Sequence, residues 1–251
     1  MDKIKLNIGG GGIFSKTMIA IQNTELFGYG LENCYFDTTD QRALGYDGSN
    51  PFNFILDQSY DDNYKRIQHN GHKIYDKQER IEESPEFENL KTIASKLNYK
   101  QELRVLLDDY LYMLGIDQNT VGVHIRLCDM NIAHVNDYGY VSFDDYAEVI
   151  KKELDLEGKL FVASDNNESI LKLQKLFGKR VVFLKDLIRA ETEVEDSSNL
   201  QVKHFKEKRF WQEAFLEMLL LSRCSKLICR TSNLANMAII SSNNIKKIIM
   251  L

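Results

Sequence analysis

The sequence predicts an α/β fold made of two doubly wound halves, and three observations lead there. From residue 120 onward, short apolar runs alternate with helical periodicities at regular spacing, the pattern of a parallel sheet covered by helices. Residues 3–8 alternate as a strand, an unbroken glycine run from Gly9 to Gly12 follows, and residues 13–27 carry helical spacing at Ile13, Met18 and Ile21. Between these two starts, Gly115 and the Asp-Gln-Asn turn at 117–119 mark a boundary. The expected domains are therefore 1–117, an N-terminal α/β unit, and 118–251, a Rossmann-like unit.

Taken in order, residues 33–37 read as the second strand and 38–64 as a loop rich in Asp, Asn, Gly and Tyr. Within that loop, residues 51–56 form an apolar patch. Residues 58–84 are polar, with His69 and His72 close together; a third ligand is not in view, and two solvated histidines are the simpler reading. Residues 86–97 and 101–114 have helical spacing, with Gly115 as a C-cap. The expected strand at 120–127 precedes a helix near 142–154 with Ser142 as N-cap. Strand 159–163 leads to helix 167–177, and strand 180–184 to an acidic, Ser-rich loop at 191–199. A helix near 206–224, a strand at 226–229, a helix near 233–241 and a strand at 245–250 complete the pattern.

Composition narrows the function. At 251 residues the chain is long enough for a sizeable core. Hydrophobic content of 43% and charged content of 27% are those of an ordinary globular protein. A net charge of −5 and a pI near 5.6 argue against a nucleic-acid binder, which needs a basic face. The four cysteines, Cys34, Cys128, Cys224 and Cys229, form no CxxC pair and no zinc spacing. Three lie in apolar segments and read as buried thiols of a reducing compartment. No signal peptide is visible, and the apolar run at 218–221 is too short to span a bilayer.

Residues 121–131, Val-Gly-Val-His-Ile-Arg-Leu-Cys-Asp-Met-Asn, carry the most chemistry. Val121, Val123, Ile125 and Leu127 alternate as a buried strand, which sets His124 and Arg126 on its other face near the C-terminal end. In open α/β sheets ligands bind at that end. An Arg there is either a fixed fork for two phosphate oxygens or the partner of a nearby carboxylate. The glycine run after the first strand is either a phosphate approach or a flexible turn.

The residues 124–129, His-Ile-Arg-Leu-Cys-Asp, resemble the His-x-Arg-x-x-Asp signature of the GDP-fucose-dependent fucosyltransferases. That superfamily includes the α-1,6, nodulation-factor, α-1,2 and protein O-fucosyltransferases. Residues 159–166, Lys-Leu-Phe-Val-Ala-Ser-Asp-Asn, resemble its strand ending in Ser/Thr-Asp. Residues 217–236 resemble its last signature, in which an acidic residue opens an apolar helix and a strand and a Ser/Thr-rich turn follow. The likeness covers roughly residues 118–242.

The resemblance implies a GT-B-like glycosyltransferase that moves fucose from GDP-fucose to a glycan hydroxyl with inversion and without a metal. No cofactor is implied; the partners are a nucleotide sugar and a glycan acceptor, with peripheral membrane association open. Animal enzymes of this type are usually secretory, so a bacterial or viral, cytoplasmic origin is expected. By the same likeness Arg126 and Asp129 serve catalysis, Asp129 by orienting Arg126 or the loop after it. Gly11, Gly12 and Phe14 face the sugar nucleotide, although Ser15 stands in the region where relatives carry an Asn. His124, Asp165 and Glu217 face the donor, with Asp165 on the nucleoside, and Thr231, Ser232 and Asn233 hold phosphate at a helix N-terminus. Leu127 and Met130 replace a second basic residue of some relatives.

Cleavage of the anomeric bond builds negative charge on the departing diphosphate. Either a carboxylate-held metal or an Arg with helix N-terminal N–H groups can meet it. The Asp pairs at 108–109 and 144–145 lie in helical patterns and make no convincing metal motif. The second solution is present in Arg126 and the 231–233 turn, which serves otherwise as a plain N-cap. Arg230 either adds charge or points away. Asp165 is alternatively an N-cap for the helix at 167–177, a role Ser164 or Asn166 could also fill. Glu217 on an apolar face is costly unless paired. Candidates for the acceptor base are Asp137, Asp144, His134 and the acidic residues of 57–62. Two other readings stay open: a non-catalytic nucleotide- or glycan-binding protein of the same fold, and a transferase that uses another nucleotide sugar.

Overall fold

The computed structural model describes residues 4–8, 14, 17–18, 20–21, 24, 28, 30–31, 34–37, 50–58, 65–69, 80–128, 131, 139–193, 203–204 and 207–251, with 4–8 and 65–69 as backbone only. The elements, in order, are β1 (Ile4–Ile8), β2 (Cys34–Asp37), α1 (Phe52–Ile55), β3 (Lys65–His69), α2 (Phe87–Ala94), α3 (Gln101–Leu114), β4 (Val121–Ile125), α4 (Phe143–Glu153), β5 (Leu160–Ser164), α5 (Asn167–Phe177), β6 (Val181–Val182), α6 (Lys208–Leu221), β7 (Lys226–Cys229), α7 (Asn233–Ile240) and β8 (Lys247–Met250).

The α/β class is as the sequence predicts. Two all-parallel sheets are present, a three-stranded one in the order β2-β1-β3 and a five-stranded one in the order β6-β5-β4-β7-β8. The second order reverses between β4 and β7, which makes a switch point where strand ends face an open crevice. Helices cover both faces of this sheet. Val121, Val123 and Ile125 pack with Tyr146 and Ile150 of α4 and with Ile170 and Leu173 of α5. Phe161, Ala163 and Leu227 face the other way, onto α6 and α7. Every residue of β4 and β5 is buried, as in a sheet covered on both faces, and all but His124 and Ser164 are apolar or Gly.

The layer under α6 also contains Met18, Phe36, Phe52, Ile55, Leu90 and Leu103, so the two sheets share one core. Gly122 permits part of that packing. A Cβ there would stand 3.0 Å from Cys224 Sγ and 3.1 Å from a Leu221 methyl. Local signals close the helices. Ser142 and Asp145 form a reciprocal capping box on α4. Gly115 ends α3 in the left-handed region at φ 59°, as a C-cap should.

Some expectations differ from the structure. β3 lies inside 58–84, which reads as merely polar. Its sequence, Lys-Arg-Ile-Gln-His, has no apolar alternation, and only its pairing along β1 makes it a strand. The patch at 51–56 is a short helix with Phe52 and Ile55 fully buried. β4 stops at Ile125, two residues early, because the Leu127 and Cys128 N–H groups turn to the Asp165 carboxylate. Glu217 does not open a helix; α6 begins nine residues earlier, at Lys208. The glycine run and His72 lie outside the described residues, as does the side chain of His69.

Candidate functional site

At the carboxyl ends of β4 and β5, side chains from six segments line a cavity of about 190 Å³. His124 comes from β4, and Arg126 is the first residue beyond it. Ser164 ends β5 and Asp165 follows. Leu187, Ile188 and Arg189 form one wall. Phe210, Glu213, Ala214 and Glu217 come from α6, and Leu234 from the first turn of α7. Phe14, from the helical residues after β1, packs its ring 4.8 Å from that of Phe215 and closes another side. The expected residues Phe14, His124, Arg126, Asp165 and Glu217 thus meet in one place, although 203 positions separate the first from the last.

Of the polar residues of this wall, His124, Ser164 and Glu217 are buried. His124 is 5% exposed, and its Nδ1 lies 3.2 Å from Ser232 Oγ. Ser232 is the N-cap of α7 and accepts the Ala235 N–H at 3.1 Å. When the hydroxyl donates to Nδ1, the imidazole carries its proton on Nε2. None of Thr231, Ser232 and Asn233 is among the cavity-lining residues; Ser232 reaches the site only through its contact with His124. Arg230 points away: it is buried, donating to Asn131 Oδ1 at 2.7 Å and to the Gly139 carbonyl at 2.6 Å. The helix at 167–177 is capped by Asn166, not by Asp165. Asp129 and Gly11 and Gly12 lie outside the described residues, as do His134 and Asp137. Asp144 sits exposed in the first turn of α4, and Asp57 is exposed as well.

Glu217 is not solvent-exposed. It forms an ion pair with Arg189 in which the side chains are 10% and 3% exposed. Arg189 also donates to the carbonyls of Ser164 at 3.0 Å and Leu184 at 3.1 Å. Burial pushes the Glu217 carboxyl above the usual carboxylate range, more strongly than the Arg189 guanidinium pulls it down; Glu213 and Asp165 add to the upward push. Glu213, one turn earlier, accepts the Ile188 N–H at 3.3 Å and pairs with Arg209. The α6 face therefore clamps the 186–189 segment, where Asp186 adopts a positive φ of 59°.

Arg189 is the charged cavity residue paired with Glu217 that the sequence reading misses. One signal was present: a carboxylate on the apolar face of a helix demands a cation. Nothing in the sequence says which of the 32 basic residues supplies it.

The arrangement suits an anion. Arg126 and His124 bring a positive and a proton-donating group to the strand ends, the carboxylate of Glu217 is met by Arg189, and apolar rings from Phe14 and Phe210 provide flat surface. Among the described residues no three His, Cys, Asp or Glu side chains come together to hold a metal ion.

No sequence-family model and no curated protein matches this chain. Solved structures do. The α-1,6-fucosyltransferase NodZ co-crystallised with GDP superposes with a TM-score of 0.60 at 14% identity, over 100% of this chain and 95% of that one. The fold is the GT-B fold of that fucosyltransferase. NodZ soaked with GDP-fucose gives 0.61 at 15% identity, again over 100% and 95%. Fucosyltransferase NodZ from Bradyrhizobium gives 0.58 at 14% identity with the same coverage. Among the described residues no helix is long and apolar enough to cross a membrane.

Proposed function

We propose that this chain is a glycosyltransferase that moves fucose from GDP-fucose to a glycan hydroxyl, with inversion and without a metal ion. One observation carries the reading: Arg126, His124, Asp165, Glu217 and Phe14 converge on a single cavity at the carboxyl ends of β4 and β5, in a fold shared with a fucosyltransferase. In this reading residues 118–251 bind the donor and residues 1–117 lie on the acceptor side. The Arg126 fork takes the diphosphate as its charge grows, and the α7 N-terminus with Thr231, Ser232 and Asn233 supports it. Asp129 orients Arg126, and Gly11 and Gly12 bring backbone toward the donor.

A second reading, a nucleotide-binding protein without transferase activity, has its own support. Each cavity carboxylate among the described residues, Asp165, Glu213 and Glu217, is engaged by backbone or by an Arg, so none of the three stands ready as acceptor base.

Release of nucleotide from a panel of GDP- and UDP-sugars in EDTA decides between them. The transferase reading expects GDP release from GDP-fucose above all others. GDP binding with no release from any donor supports the second reading. Loss of activity in EDTA, restored by magnesium or manganese, overturns metal independence.

A further inference from the structure

Asp165 lines the cavity, yet the partners of its carboxylate belong to the protein. Its Oδ1 accepts the Leu127 N–H at 3.4 Å and the Asn166 side-chain amide at 2.9 Å, and its Oδ2 accepts the Cys128 N–H at 3.2 Å. Its backbone is tied as well. The Asp165 N–H donates to the Ile125 carbonyl at 3.3 Å, the last rung between β4 and β5, and its carbonyl accepts the Ala190 N–H at 3.0 Å. β4 leaves the ladder at Ile125, so the next N–H groups need acceptors.

Arg126 is therefore bracketed. The residue before it is held by the Asp165 backbone, and the two residues after it by the Asp165 carboxylate. Both peptide planes that orient the Arg126 Cα are anchored to one residue on the neighbouring strand. The fully buried Tyr146 side chain, its hydroxyl near the Arg126 backbone, underlies the same turn. Asn166, which tethers Oδ1, is itself immobilised as the N-cap of α5.

We infer that Asp165 is a positioning residue: it aims Arg126 into the cavity through the backbone on both sides of it, and it does not read the nucleobase. The inference rests on the nucleotide-sugar reading of the cavity. An error of about 1 Å in such a group costs on the order of 100-fold in rate, which is why a turn outside the ladder needs an anchor.

The test is a thermodynamic cycle read by calorimetry with GDP and with guanosine. It compares the wild type with Asp165→Ala, Asp165→Asn, Arg126→Ala and the double variant Arg126→Ala/Asp165→Ala. Asp165→Ala should weaken GDP by roughly 10- to 100-fold, the size of one charge-assisted contact, and leave guanosine within about twofold. In the double variant the Asp165 change should add less than about threefold to Arg126→Ala, because the two residues act as one unit. Asp165→Asn keeps one acceptor oxygen and should fall between. Additive losses, a parallel loss of guanosine, or unchanged GDP affinity would overturn the inference.

If the wild type binds no GDP, the proposed function fails, and amide exchange decides the positioning claim by itself. Leu127 and Cys128 should then exchange more than about tenfold faster in Asp165→Ala, with residues 121–125 unchanged, since only a bonded N–H is protected. Equal exchange at those two amides would remove the anchor.

Discussion

The five-stranded sheet carries a charged hollow at each end, and the two are built differently. At the amino end, Lys159, Lys226, Lys246 and Lys247 surround a space of about 530 Å³ with Asp117, Asp155 and Glu157. At the carboxyl end the cavity is smaller, with Arg126, Arg189 and His124 facing Asp165, Glu213 and Glu217. The larger hollow has more lysines, but they serve the surface. Lys226 and Lys247 both pair with Glu153, and Lys159 caps the carbonyls of Leu114 and Gly115. In the smaller one Arg189, His124, Asp165, Glu213 and Glu217 are held by hydrogen bonds within the protein. Exposed ion pairs exchange readily with water and are weak; buried, held groups cost no reorganisation when charge develops next to them. Size and charge count favour the amino end of the sheet; the fixed polar groups favour the carboxyl end.

The largest expected effect breaks the carboxyl-end wall. Arg189→Ala strands Glu217 in the interior and should cost about 3–5 kcal/mol of stability. The double variant Arg189→Met/Glu217→Leu should be less destabilised than Arg189→Ala. Urea melts of the three proteins check both statements; a loss below about 1 kcal/mol for Arg189→Ala would make this pair no different from an exposed one. At the amino end Glu153→Gln should cost under about 1 kcal/mol.

Next in size is the chemistry. Arg126→Ala should lose about 2–4 kcal/mol of transition-state stabilisation, measured as kcat/KM for fucosyl transfer. Arg126→Lys should rescue poorly, since a point charge cannot copy the fork. Lys246→Ala, at the other end of the sheet, should stay within about twofold of wild type. Equal losses at the two ends would erase the distinction drawn between them.

The two ends should also answer pH with opposite signs. The Glu217 carboxyl titrates above the usual range because burial outweighs Arg189. A group whose pKa is raised on folding stabilises fully below its unfolded pKa and loses that contribution as pH rises through its folded one. Lys247 and Lys226 hold Glu153 below the usual range. Its contribution is present above the unfolded pKa and is lost as pH falls through the folded one. Stability relative to the Glu217→Gln variant should therefore fall with rising pH, and relative to Glu153→Gln should fall with acid. Chemical melts from about pH 3 to pH 8 read both slopes; two slopes of the same sign would refute the assignment.

The smallest effect concerns Ser232. Ser232→Ala removes the α7 cap and the His124 contact, and should cost about 1 kcal/mol of stability. In the proposed site it also weakens GDP while sparing guanosine, because Ser232 belongs to the phosphate end. Calorimetry with both ligands checks this, and an equal loss for guanosine would place Ser232 elsewhere.

Much of this was legible in the residues. Alternation at 3–8 and 120–127, helical spacing in 101–114 and 167–177, and caps at Ser142 and Gly115 are local properties. Sterics and hydrogen bonding within a few residues determine them, so the sequence alone carried most of the elements and the parallel character of the second sheet. It also marked Arg126, His124 and Glu217, because a charge among apolar neighbours is costly and needs a reason. Tertiary structure decided what those charges meet. β3 became a strand only beside β1. Arg189 became the partner of Glu217 only when the 186–189 segment folded onto α6. Asp165, which reads as a ligand or a cap, spends its oxygens on the turn that follows β4. Each of these contacts joins residues more than 20 positions apart, and no local periodicity encodes which distant group will fill a buried valence.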